Sequence, residues 1–167
     1  LLSVLQTRAA QTPDRNRIGN MELVGTCETP GFAMDVSVTG TIAYVTDWNK
    51  GLQVLDVSDP SHPHIIANRE TPGGASGVHV TGGFAYVADY LKGLAVIDVS
   101  DPTDPTMAGY CPIDWVDGDV YGDVYVSGDI AYLVDGHLHL IDVSDPSDPV
   151  KITDYDRDLY AAQTIYA

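Results

Sequence analysis

Aspartate is the residue in this chain best placed to do chemistry. It recurs in register as Asp47, Asp89 and Asp135, as Asp56, Asp98 and Asp142, and as Asp59, Asp101 and Asp145. Carboxylates grouped in this way suit hard cations such as Ca²⁺. The same side chains also accept backbone N–H bonds and fix turns. A cation site is needed once, whereas a corner is needed in every unit, so the repetition favours architecture. The densest local cluster lies at 114–123, DWVDGDVYGD, where Asp114, Asp117, Asp119 and Asp123 share ten residues with two glycines. That loop could wrap Ca²⁺, although its spacing departs from the EF-hand pattern. It is the metal candidate; no cofactor is required by the rest of the sequence.

Other residue types offer binding or catalysis. Trp48 and Tyr90 hold equivalent positions, and Trp115 is expected on the same face. With Asn49, Lys50 and Lys92 beside them, these rings would form a platform for a sugar ring or a protein hot spot. The competing use is packing of each ring over the neighbouring unit. His137 and His139 stand two apart on one strand and share a face, but no third ligand accompanies them at a convincing spacing. Asp35, His79 and Asp123 are the nominees for an enzymatic site at a channel mouth. The sequence contains no G-x-S-x-G elbow, H-E-x-x-H, P-loop or dinucleotide fingerprint, and Ser58, Ser100 and Ser144 recur too uniformly to be nucleophiles.

The elements that position these residues are spelled out three times: GLQVLDVSDPSHP at 51–63, GLAVIDVSDPTDP at 93–105 and HLHLIDVSDPSDP at 137–149. The central Asp spacing is 42 (98 − 56) and then 44 (142 − 98), within the range of propeller blades and of some helical solenoids. Residue chemistry separates the two. Short runs rich in Val, Ile, Tyr and Phe are bounded by Gly, Asp or Pro, which predicts strands. Pro recurs too often for helices. Each unit carries four such runs, and four antiparallel strands in about 42 residues make one propeller blade.

Residues 73–105 nearly spell the pattern GxAxxVxVxGxxAYVADxxxGLxVIDVSDPxxP, and in this the chain resembles the LVIVD-repeat family over about residues 21–167. The resemblance implies an all-β propeller and a secreted or surface-displayed bacterial or archaeal protein. It implies no particular chemistry, because fold does not dictate function.

The expected organisation is an N-terminal segment at 1–20, which holds a degenerate strand of a preceding blade. Propeller repeats follow over 21–167: blades at about 33–71, 75–110 and 120–155, with partial blades at both ends, the last at 162–167. Three blades do not close a ring of the usual four to eight, so completion by further chain or by another subunit is expected. Cys27 and Cys111 hold equivalent positions two blades apart, beyond bridging distance, and are expected as free thiols. The net charge of −16, with only eight Lys and Arg, argues against nucleic acid or anionic membrane as partner. No apolar run approaches the length of a membrane span. Residues 1–5 could be the tail of a signal sequence, a reading that Arg8 opposes.

These features together point to a non-enzymatic extracellular or cell-surface scaffold that binds a protein or carbohydrate partner through its loop face. A structural subunit of a surface layer or filament is the alternative, and a propeller lyase or hydrolase is the enzymatic rival.

Overall fold

The protein is described by a computed structural model over residues 17–18, 21–90, 92–113 and 122–155. A short pair, β1 (Arg17–Ile18) with β2 (Met21–Glu22), precedes three four-stranded antiparallel sheets. Blade I is β3 (Ala33–Thr39), β4 (Ile42–Asp47), β5 (Gly51–Asp56) and β6 (His64–Arg69). Blade II is β7 (Gly74–Thr81), β8 (Phe84–Tyr90), β9 (Gly93–Asp98) and β10 (Thr106–Pro112). Blade III is β11 (Asp123–Ser127), β12 (Ile130–Val134), β13 (Leu138–Asp142) and β14 (Val150–Tyr155). Strands follow one another across each sheet in sequence order, and no helix occurs among the described residues.

Local sequence dictates each connection. The first hairpin of every blade turns at Gly40, Gly82 or Gly128, with φ of 62°, 60° and 58°. A two-residue hairpin needs that left-handed conformation at its first central position, and Gly adopts it without a steric penalty. The DVSDP segment then stops the third strand. The Asp56, Asp98 and Asp142 carboxylates accept the amides of Ser58, Ser100 and Ser144 at 2.8–2.9 Å. The Asp59, Asp101 and Asp145 carboxylates accept both the amide and the hydroxyl of the residue two positions on, Ser61, Thr103 or Ser147. These bonds hold all six carboxylates below the usual range. The architectural use of the six is therefore visible atom by atom.

The blades pack through two equivalent cores. Tyr44, Leu52 and Val54 of blade I meet Val78, Ala85, Val87 and Ile97 of blade II. One blade later, Tyr86, Leu94 and Val96 meet Val124, Val126, Leu133 and Ile141. The first strands also meet: β7 lies against both β3 and β11. The Val78 amide donates to Asp35 Oδ2 at 2.9 Å, and the Val80 amide to Ser37 Oγ at 3.2 Å. Sheets that converge on their first strands and bury their faces on siblings form the arc of a β-propeller.

The first strand of blade II begins at Gly74, earlier than the apolar run starting at Gly77 suggests. A bulge between Ala75 and Gly77 accounts for the difference. It turns Ser76 out of the pleat, so that its hydroxyl lies 2.7 Å from Gly122 O of the next blade and 3.0 Å from Ala88 O, with its one hydrogen shared between these acceptors. Outer strand β10 likewise runs on to Pro112, because Gly109 lies past its own bulge. Residues 1–16 and 156–167, including the strand expected at 162–167, lie outside the described residues.

Residues 21–26, expected as the outer strand of a preceding blade, form a strand only at Met21–Glu22, paired with β1, and Gly25 lies beyond its end. A Cβ on Gly25 would meet Pro60 O at 2.3 Å, and one on Gly109, in outer strand β10, would meet Pro146 O at 2.3 Å. Each glycine thus lies against the SDPxxP turn of the following blade. Cys27 and Cys111 follow at the same interval, and both are free.

Candidate functional site

The loops joining the second and third strands of each blade, together with the loops leading into the first strands, place the candidate residues. Asp47, Asp89 and Asp135 are buried, with at most 6% of their surface exposed. Asp47 accepts the Gly31 amide at 2.7 Å and the Phe32 amide at 3.0 Å. Asp89 accepts the Thr71 hydroxyl at 2.9 Å and the Gly73 amide at 2.9–3.1 Å. Each of these two carboxylates ties the loop before its blade's first strand to the hairpin after its second. Burial pushes Asp89 above the usual carboxylate range, against the opposing pull of its hydrogen bonds. Their oxygens are committed to turn amides and hydroxyls, the architectural role that recurrence in every blade predicts.

The aromatic residues are brought together. Trp48 and Tyr90, from consecutive blades, stand with ring centroids 4.8 Å apart at 46°. Trp48 packs over Gly74, where an added Cβ would come within 2.8 Å of the indole. Gly74 is thus a place where only hydrogen fits beneath the ring. The competing use, packing over the neighbouring blade, is therefore real for Trp48, yet both rings stay only half-buried. Asn49, Lys50 and Lys92 are exposed beside them. The Lys92 stem crosses Gly73, where an added Cβ would meet its Cγ at 2.9 Å. Trp115 and the acidic residues Asp114, Asp117 and Asp119 lie outside the described residues. Asp123, the last member of that cluster, is half-buried on β11 and accepts the Val124 amide at 2.8 Å.

The nominees for enzymatic chemistry are used within the fold. Asp35 caps the Val78 amide. His79 packs edge-on against Tyr125, centroids 4.7 Å apart. Burial lowers its pKa, opposed by the nearby Asp123 charge. No group of three or more His, Cys, Asp or Glu side chains suited to hold a metal ion is found among the described residues.

One cluster escaped sequence reasoning. His139 is buried in blade III between two carboxylates, with Nε2 2.8 Å from Asp135 Oδ1 and Nδ1 2.6 Å from Asp154 Oδ1. Lys151 Nζ lies 2.8 Å from Asp154 Oδ2. His139 and Asp154 are cross-strand partners, as are Gln53 with Asn68 and Ala95 with Tyr110. The same niche under the corner aspartate is therefore filled differently in each blade. In blade I, Gln53 Nε2 donates to Lys50 O at 2.9 Å. In blade II, Ala95 makes room for Tyr110, whose hydroxyl is buried without a hydrogen-bond partner among the described residues. Burial, with the Asp89 charge, drives that hydroxyl's pKa far up. Reading cross-strand pairs off the repeat register would have exposed the His–Asp pair.

The LVIVD repeat matches three consecutive stretches, residues 30–71, 72–112 and 117–157. The chain belongs to the LVIVD-repeat family. Its three repeats coincide with blades I to III, each match opening in the loop before a first strand and closing at or just past an outer strand. Among solved structures, the LVIVD chain is similar to the computationally designed Ika8 protein, at 10% identity and a TM-score of 0.60. The match covers 81% of this chain and 40% of that one, so the chain spans about two fifths of that protein's length. It is also similar to the N-terminal domain of Nup159, at 10% identity and a TM-score of 0.45, covering 75% of this chain and 31% of that one. None of the curated proteins compared matches it. No helix among the described residues is long and apolar enough to cross a membrane.

Proposed function

We propose that this LVIVD-repeat propeller is a non-enzymatic, extracellular or cell-surface scaffold that binds a protein or carbohydrate partner through the face carrying Trp48 and Tyr90. The observation that carries the proposal is the pairing of these two rings, from different blades, at 4.8 Å. Rigid hairpins fix both in place, so little conformational freedom is lost on binding. Two of the three lysines in a chain of net charge −16, Lys50 and Lys92, flank the rings from equivalent hairpin positions. That local positive charge favours acidic groups on the partner. No cofactor is needed for such binding. Ca²⁺ held by Asp114, Asp117, Asp119 and Asp123 would be an accessory to that binding.

The test is a binding screen of the purified chain against immobilised glycans and cell-surface extracts, followed by Trp48→Ala on each positive. A ring acting as an anchor contributes about 2 kcal/mol or more, so affinity is expected to fall about 30-fold. Lys50→Ala and Lys92→Ala should give smaller losses that shrink in high salt. Circular dichroism separates lost binding from lost packing over Gly74. Unchanged affinity in folded Trp48→Ala would remove the platform from the account.

A second arrangement, participation in a larger ring or assembly, is favoured by one contrast. Val36 and Val78 hold the same position in blades I and II, but Val36 is 56% exposed and Val78 is 6% exposed. Phe32, Met34 and Val38 are exposed beside Val36. This flank is shaped to receive another sheet, supplied by further chain or by another subunit.

A further inference from the structure

We propose that His139 is a proton-operated latch that holds outer strand β14 to the corner of blade III, closed when the imidazole is doubly protonated and released when it is neutral. The geometry requires two donors. Both ring nitrogens lie within 2.8 Å of carboxylate oxygens, and ionised carboxylates only accept. A neutral imidazole carries one N–H and would turn a lone pair toward one of the two carboxylates. Only the imidazolium satisfies both, and its charge compensates one buried acid, Asp135, and one exposed acid, Asp154.

The latch joins three elements. Asp135 follows β12, His139 lies on β13 and Asp154 on β14. The charged and titratable groups around the ring, among the described residues, are few. His137 has its ring centroid 6.3 Å away and its Nδ1 4.0 Å from the same Asp135 oxygen. Lys151 is paired with Asp154. From blade II, Cys111 of β10 lies close enough to Lys151 and Asp154 for its thiol to feel both charges. All six residues of β14 are exposed, with Val150, Ile152 and Tyr155 each more than half so. The strand therefore buries little apolar surface of its own, the signature of an element that opens locally. Its side-chain tie to the blade corner runs through His139. The other blades fill the niche with Gln53 or with Ala95 and Tyr110, none of which titrates near neutral pH, so the device belongs to blade III.

The sign of the pH effect follows. Burial pulls the His139 pKa down, but the hydrogen bonds and charges of Asp135 and Asp154 outweigh it and leave it raised. Burial raises Asp154, but Lys151 and His139 outweigh it and hold it low. The imidazolium's contribution is complete below the unfolded histidine pKa and is lost as pH rises through the higher folded value. The Asp154 contribution is present above the unfolded carboxylate pKa and is lost in acid as pH falls through its depressed value. The latch is thus tightest between these limits and opens on the alkaline side.

Amide exchange of β14, corrected for intrinsic pH dependence, tests it directly. Protection in the native chain should fall about tenfold for each unit by which the folded histidine pKa is raised, beginning as pH passes the unfolded histidine pKa of about 6.5 and levelling off above the raised folded value. In His139→Gln, which installs the blade I residue, protection should stay flat. An equal pH slope in both would overturn the proposal. Imidazole ¹⁵N spectra of the unmodified chain give a second readout that needs no variant: two N–H groups on His139 at pH 7 are expected, and a single neutral tautomer would contradict the latch. Asp154→Asn should lower the His139 titration midpoint, a shift that a merely space-filling role would not produce.

Discussion

Leu94→Ala is expected to destabilise the protein by about 2–5 kcal/mol, read as a lowered urea midpoint with little change in slope. Leu94 is fully buried, and it lies in the core that joins blade II to blade III, against residues such as Leu133 and Ile141. Truncation removes apolar contacts from both sheets at once and leaves a cavity that two hydrogen-bonded ladders cannot collapse to fill. The matching control uses one position in two blades. Val78→Ala should cost about 1 kcal/mol or more through lost methylene burial, whereas Val36→Ala should be nearly silent, because Val36 is 56% exposed and Val78 only 6%. Equal effects at the two valines would mean that burial between blades is not what holds them together.

Asp47→Ala should cost about 2–3 kcal/mol, the range for deleting a buried carboxylate that accepts charge-assisted bonds. The Gly31 and Phe32 amides would lose acceptors at 2.7 and 3.0 Å, and the loop leading into β3 would lose its tether to the hairpin carrying Trp48. Asp47→Asn keeps one acceptor oxygen and should recover part of the loss. The readout is again the denaturation midpoint, with Trp48 fluorescence reporting the hairpin. A shift for Asp47→Ala below the scatter of surface mutations would make the corner aspartates candidates for ligand binding again.

The blade was legible because its signals are local and repeated. A Gly at each tight hairpin, an SDP stop after each third strand and β-branched runs between them leave little freedom of topology. The same regularity marked the corner aspartates as architectural. Strand limits were harder to see. The bulges at Ala75–Gly77 and Met107–Gly109 shift the register by one residue without any change in the apolar pattern. The juxtaposition of Trp48 with Tyr90 follows from their equivalence in consecutive blades, but the fit of the indole over Gly74 depends on how closely the sheets approach. The His139 cluster was missed for a different reason. Asp135, His139 and Asp154 come from three strands, and their meeting depends on cross-strand register, which the spacing of any one motif does not carry.

The central claim, that the three sheets fan about a common axis, can be tested with spin labels at Ser58→Cys, Ser100→Cys and Ser144→Cys, with Cys27 and Cys111 replaced by alanine. These serines are exposed and hold one equivalent position in each blade. A propeller of four to eight blades predicts equal distances between neighbouring blades and a Ser58–Ser144 distance shorter than their sum by about 8% (eight blades) to about 29% (four blades). A Ser58–Ser144 distance equal to that sum would place the sheets in a straight file and contradict the account.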